Sequence, residues 1–209
     1  MPIGALVRKS FGRHEHWGAE LYRGLFLDLR DYVAKITHEA PAATRVLEVG
    51  CGEGAVTEIL AAEYPEAEIL AIDITPRLGR LYRGRPDGIQ FREISVQQIA
   101  VEQPGRFDLI TLSDVVHHIP PGMRAEIFDA ISRCLAPGGR FVPKDWGRAA
   151  TPTHWLCHAG DRWLTGDRVA YLTQEEAVAL VTASAPDLRL VARTFIRPWP
   201  NNYVLTFQC

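Results

Sequence analysis

Three glycines at alternate positions, Gly50, Gly52 and Gly54, follow the run Val46-Leu47-Glu48-Val49, and a helical pattern begins at once after them. A backbone that turns sharply and then lets a ligand lie against its peptide groups needs residues without a Cβ. This spacing therefore points to a nucleotide-like cofactor beside a helix start. Glu48 stands two residues before the first glycine. A dinucleotide fold turns the positive end of its helix toward a pyrophosphate, whereas a carboxylate beside the loop suits a ligand with an amino group and a cationic sulfur. A second apolar run, Ile69-Leu70-Ala71-Ile72, delivers Asp73, whose carboxylate can accept hydrogen bonds from ribose hydroxyls. His117 and His118 follow a later strand-like run, and Lys144-Asp145-Trp146 closes another. Histidine suits proton transfer near neutral pH. Adjacent Lys144 and Asp145 offer a charge pair that clamps a polar acceptor, or else a solvated ion pair.

The elements that must position these groups alternate along the chain. Trp17, Leu21, Leu25, Leu29, Tyr32, Val33 and Ile36 recur at spacings of three and four, which predicts an amphipathic helix ended by Pro41. Next come a strand through Val49, a helix from about Glu53 to Glu63, a strand from Ala67 to Asp73 and a short helix after Pro76. Strands are expected near Ile89-Ile94 and at Phe107-Leu112. A helix from Pro121 then places Met123, Ile127, Phe128, Ile131, Cys134 and Leu135 on one side, and Pro137-Gly138-Gly139 stops it. Arg140 to about Val142 reads as a fifth strand, with Pro143 arguing for a bulge or an early end of pairing. Thr173-Gln174-Glu175-Glu176 reads as a capping box for a helix to about Ser184. Leu188-Phe195 and Tyr203-Phe207, joined by a short turn, must be antiparallel. Such alternation predicts a mostly parallel sheet with helices on both faces, and ligands then bind beyond the carboxyl ends of the strands, where strand order reverses.

Glu48, Gly50, Gly52 and Gly54 match every fixed position of E-x-G-x-G-x-G, the first motif of the class I S-adenosylmethionine-dependent methyltransferases. Phe107-Asp108-Leu109-Ile110-Thr111-Leu112-Ser113-Asp114-Val115-Val116-His117-His118-Ile119 resembles their fourth motif, and Leu135-Ala136-Pro137-Gly138-Gly139-Arg140-Phe141 follows it. From about Arg45 onward the chain thus resembles the small-molecule, type 11/12-like branch of that family. Gly50 to Ala55 also reads as G-x-G-x-x-A, a dinucleotide fingerprint, but a dehydrogenase has no reason to carry the downstream motifs in this order.

The resemblance implies an α/β fold: a Rossmann-like three-layer sandwich with a seven-stranded, mostly parallel sheet and an antiparallel carboxy-terminal hairpin. It implies S-adenosyl-L-methionine as cofactor, with Gly50, Cys51, Gly52 and Gly54 at its methionine part, Asp73 at the ribose and Ile74 at the adenine face. Glu48 acts at the amino group or orients the loop. Many relatives place an aspartate after the third strand where this chain has Ser95, with Glu93 or Gln97 as substitutes, and Ser113 is a second candidate at the methionine end. His117, His118, Lys144 and Asp145 are the candidates for chemistry. Trp17 on the amino-terminal helix, Trp146, and His154, Trp155 and His158, with Trp163 in the same insertion, are the candidates for substrate contact. His154, Cys157 and His158 also have the i, i+3, i+4 spacing of metal ligands, but no fourth ligand is evident and no metal is expected.

At 209 residues the chain reads as one domain, 1–209, with a helical cap over 1–40 and a lid insertion over 147–172. Its 23 basic and 25 acidic residues are dispersed, so nucleic-acid binding is not indicated. The four cysteines form no disulfide framework, the first residues lack a secretory pattern and no 18-residue apolar segment occurs. A cytoplasmic setting is the expectation. The function expected is methyl transfer to a small organic acceptor, at an oxygen of an apolar or aromatic molecule. The alternatives are a nitrogen or carbon acceptor, a nucleic-acid methyltransferase of the same fold, and a cofactor-binding module without turnover. The acceptor and the oligomeric state are not set by the sequence.

Overall fold

The computed structural model describes residues 29–148, 169–197, 199 and 201–209. Trp17, His154, Trp155, Cys157, His158 and Trp163, with most of the helical cap and of the lid insertion, lie outside the described residues. Seven strands carry the fold: β1 (Arg45–Val49), β2 (Glu68–Asp73), β3 (Ile89–Glu93), β4 (Phe107–Ser113), β5 (Leu135–Trp146), β6 (Arg189–Phe195) and β7 (Asn202–Gln208). They form one sheet of order β3-β2-β1-β4-β5-β7-β6, in which β7 alone runs against both its neighbours. The chain steps outward from β1 to β3 and then returns to the other side of β1, so strand order reverses between β1 and β4.

Among the described residues five α-helices cover the sheet: α1 (Leu29–Glu39), α2 (Ala55–Glu63), α3 (Val96–Glu102), α4 (Arg124–Cys134) and α5 (Gln174–Ser184). Tyr32, Val33 and Ile36 of α1 and Leu60 of α2 pack with Val46, Leu109 and Val142 on one face. Val96, Ile99, Phe128 and Val181 pack with Leu47, Val49, Ile110 and Phe141 on the other. Burial on both faces is why Val46 to Val49 and Ile69 to Ile72 read as unbroken apolar runs around a single carboxylate, Glu48. The helix predicted around Tyr32 is present in its described part and ends before Pro41.

Thr173 makes the expected capping box. Its hydroxyl accepts from the Glu176 amide at 3.2 Å, and Glu176 accepts from the Thr173 amide at 2.8 Å. Two local expectations are corrected. Pro76 to Leu81 forms turns and not a helix, because Gly79 sits at φ +65°, where any Cβ would meet the Phe91 ring at 2.7 Å. The fifth strand does not stop near Val142: Pro143 stays paired with Leu112, and the ladder to β7 resumes at Lys144. The missing donor costs one stretch of ladder, while pairs on both sides hold the strand. The irregularity lies earlier, where the partner of β4 jumps from Leu135 to Arg140 around Pro137-Gly138-Gly139.

Candidate active site

The glycine loop leaves β1 through two amides, Gly50 and Cys51, that both donate to Ile72 O, at 2.8 and 3.0 Å. Gly50, Gly52 and Gly54 have φ of +74°, +50° and +91°, the left-handed region that disfavours a side chain. A Cβ on Gly50 would lie 2.4 Å from Val115 Cγ2, whereas one on Gly52 would meet nothing within 4 Å. The first glycine is thus a packing requirement and the second leaves open space above the chain. Asp73 braces the loop from β2, accepting from Gly52 N at 2.8 Å and from Thr75 N at 3.0 Å.

Glu48 lies beneath the loop at 2% exposure, accepting from Thr57 Oγ1 of α2 at 2.6 Å. Burial pushes its carboxyl up to about 8; the Thr57 hydrogen bond works against this and the Asp73 charge adds to it. An unfolded glutamate releases its proton near 4.5, so between about pH 5 and 8 unfolding releases a proton, and this contribution to stability falls as pH rises. The melting temperature of the wild type relative to Glu48→Gln, which has no proton to lose, is expected to drop across that window. A difference that does not change with pH would show that Glu48 titrates like an exposed carboxylate.

At the ends of β4 and β5 the charged groups separate by face. Lys144, fully buried, donates to both oxygens of Asp114 at 2.6 Å and lies 5.5 Å from the Trp146 ring. Asp114 is the only described residue other than glycine with positive φ, +57°. Ser113 Oγ donates to Tyr32 OH at 2.8 Å, which joins α1 to this edge. Asp145 points the other way. It accepts from His117 N at 3.0 Å, from His117 Nδ1 at 2.5 Å and from Trp146 N at 2.7 Å. Lys144 and Asp145 are therefore not partners of each other, because neighbouring residues of a strand face opposite sides of the sheet. His117 is buried and stacked on Tyr171, with ring centroids 4.9 Å apart; His118, 4.1 Å from His117, is exposed. Trp146, 7% exposed, packs with Tyr171.

A cavity of about 600 Å³ opens at the carboxyl ends of β1, β2 and β4. Of the residues singled out from sequence, Gly50, Asp73, Ile74, Ser95, Ser113 and His118 line it. Ile74 is 77% exposed at this wall. Glu48, Cys51, Gly52, Gly54, His117, Lys144, Asp145 and Trp146 are not among the residues that line it. Ser95 caps α3: its hydroxyl accepts from Gln98 N at 3.3 Å and donates to Gln98 Oε1 at 3.1 Å. Gln97, weighed from sequence as a substitute for Ser95, lines it as well, whereas sequence reasoning passed over Asp114 and Val115 on the wall, and Tyr32, Thr57 and Arg124, which bond to Ser113, Glu48 and Ile119. The spacing of Ser95 and Gln98, S-x-x-Q ahead of a helical pattern, was the available signal for the cap.

Residues 47–141 match the family model described as a methyltransferase domain. A ubiquinone biosynthesis O-methyltransferase of Xanthomonas campestris pv. campestris is 37% identical over 183 residues, 82% of this chain and 73% of the relative. The chain belongs to the class I S-adenosylmethionine-dependent methyltransferase family. A trans-aconitate 2-methyltransferase of Methylobacterium nodulans is 35% identical over 126 residues, 60% of this chain. The match covers 46% of that relative, so the chain spans less than half its length. Among solved structures, a Burkholderia thailandensis 1,6-didemethyltoxoflavin N1-methyltransferase bound to its substrate and S-adenosylhomocysteine superposes with TM-score 0.69 at 19% identity, covering 99% of this chain and 88% of that one. It supports the fold. The seven-stranded sheet with one reversed strand is the arrangement expected for the family. No helix among the described residues is long and apolar enough to cross a membrane.

Proposed function

We propose that this chain transfers a methyl group from S-adenosylmethionine to an oxygen of a small apolar or aromatic molecule. The observation that carries the reading is the cavity at the reversal of strand order, bounded at once by Gly50, Asp73 and Ser113. Its volume of about 600 Å³ suits a small-molecule site. The open space over Gly52 fits a ligand lying on the backbone, so Gly50, Cys51, Gly52 and Gly54 hold the methionine part with Ser113. Asp73, fixed by two amides, keeps lone pairs for ribose hydroxyls. Ile74 covers the adenine face. Ser95 commits its hydroxyl to the helix cap, which leaves Gln97, on the same wall, better placed for the adenine edge. Glu48, sealed against Thr57, orients the loop and does not touch the ligand.

When bound, the cofactor supplies a methyl carbon already activated by a positively charged sulfur. Much of the rate then comes from holding the acceptor about 3 Å away and in line. Binding of S-adenosylhomocysteine, followed by calorimetry, is the first test. Asp73→Ala is expected to weaken it by about 1 to 3 kcal/mol, roughly 5- to 150-fold, through lost hydrogen bonds to a charged group. Unchanged affinity would place the ribose elsewhere. Uptake of nicotinamide dinucleotide without uptake of S-adenosylhomocysteine would overturn the reading.

A further inference from the structure

Asn202 opens β7, and because β7 runs against its neighbours it begins at the rim where the parallel strands end, the rim that holds the cavity. It is fully buried, yet neither its Nδ2 nor its Oδ1 has a hydrogen-bond partner among the described residues. Buried polar side chains are paired as a rule, since an unpaired amide gives up water for nothing. An asparagine beside a turn commonly has one of two structural reasons: its side chain bonds the nearby main chain, or its backbone takes a positive φ. Neither applies. The main chain of the turn is satisfied without the carboxamide: Asn202 N donates to Trp199 O at 3.1 Å, Ile196 N to Asn202 O at 2.8 Å, and Gly147 N to Asn201 O at 2.6 Å. Among the described residues Asp114 alone, glycines aside, has positive φ.

Strand register places the carboxamide relative to the cavity. Asn202 pairs with Trp146 of β5, Lys144 of β5 pairs with Val204, and Ser113 on the cavity wall pairs with Lys144. Direct partners and alternate residues share a face, so Ser113, Lys144, Trp146 and Asn202 lie on one face, and Asn202 stands two strands from Ser113, about 10 Å across the sheet. The ions at this rim are paired, Lys144 with Asp114 and Asp145 with His117. What Asn202 offers a ligand is a neutral donor and a neutral acceptor side by side.

We propose, resting on the methyl-transfer reading above, that Asn202 is a specificity-determining residue that recognises an amide or lactam on a planar acceptor. Its Nδ2 donates to the carbonyl of that group and its Oδ1 accepts from the adjoining N–H. The reacting oxygen of the acceptor lies toward Ser113, and its rings lie along Trp146, the direct partner of Asn202. A span of about 10 Å, less the reach of the side chains at each end, suits an acceptor of one or two rings.

The test uses the whole chain with S-adenosylmethionine and two matched pairs of phenolic probes: 4-hydroxybenzamide against 4-methylphenol, and 6-hydroxy-2-quinolone against 2-naphthol. Within each pair the carbonyl-bearing probe is expected to show a KM at least about tenfold lower. Asn202→Leu should erase that preference by raising the KM of the carbonyl-bearing probe, not by lowering kcat, and calorimetry should find its S-adenosylhomocysteine affinity unchanged. Because leucine fills similar space with no polar atom to leave unpaired, the same variant should melt at a higher temperature than the wild type in the absence of acceptor. An asparagine kept for the fold would do the reverse. Should Asn202→Leu not fold, Asn202→Ser, which shortens the side chain and removes the amide, is expected to reduce the preference in the same way. Equal KM within each pair, a preference that survives both substitutions, an Asn202→Leu variant that melts lower, or S-adenosylhomocysteine binding with no transfer to any of the four probes would each overturn the proposal. Absence of S-adenosylhomocysteine binding would instead reject the methyl-transfer reading beneath it.

Discussion

Gly50→Ala is expected to destabilise the chain by about 2 to 5 kcal/mol. A side chain in the left-handed region costs about 1 to 2 kcal/mol, and forcing a methyl into packed space adds about 1 to 3. The position meets both conditions, with φ +74° and Val115 Cγ2 2.4 Å from the added Cβ. Thermal melts of Gly50→Ala, Val115→Ala and the double variant separate the two causes. Removing the Val115 methyls relieves the clash but not the backbone strain, so a coupling of about 0.5 to 3 kcal/mol is expected between the sites. Additive losses would mean that the loop moves away from Val115 instead of pressing on it. Gly52→Ala is the counterpart: at φ +50° it meets the backbone cost of about 1 to 2 kcal/mol but, with open space above it, no clash, so it should lose less stability than Gly50→Ala and lose ligand affinity as well.

Asp114→Asn should cost about 3 kcal/mol or more for a different reason. Lys144 is fully buried and its ammonium has both Asp114 oxygens at 2.6 Å; removing the negative charge leaves a cation in the interior, a change that typically costs about 3 to 5 kcal/mol. Asp114 keeps 29% of its side chain exposed, so water screens part of the loss and the lower figure is the better expectation. Asparagine tolerates the positive φ of this position as aspartate does, so the substitution isolates the charge. Combining it with Lys144→Met should restore most of the stability, since apolar replacement of a buried pair is commonly neutral. A double variant as unstable as the single one would assign the loss to the backbone of the turn.

Much of this site was legible in the chain, and the reasons are local. A glycine at alternate positions after an apolar run, or an aspartate at the end of the next run, announces a backbone requirement that sequence spacing can carry. Thr173 and Glu176 satisfied each other across three residues and were readable for the same cause. Partners distant in sequence were not. Lys144 and Asp145 look like a pair because they are adjacent, yet strand pleating sends one to Asp114, thirty residues back, and the other to His117. Arg124, at the start of an amphipathic helix, reads as a solvated charge; only the tertiary fold brings Ile119 O and Ala170 O to its two arms. Pro143 misled because its missing donor was weighed without the neighbours that hold the strand on both sides.

Placing opposite charges at consecutive positions of one central strand also guards the assembly of the sheet. If β5 slid by a single residue against β4, every side chain would change face. The ammonium would then arrive among Arg124 and the histidines, and the carboxylate of residue 145 would confront that of residue 114. Like would meet like on both sides, so a misaligned intermediate is penalised twice before the helices close over it.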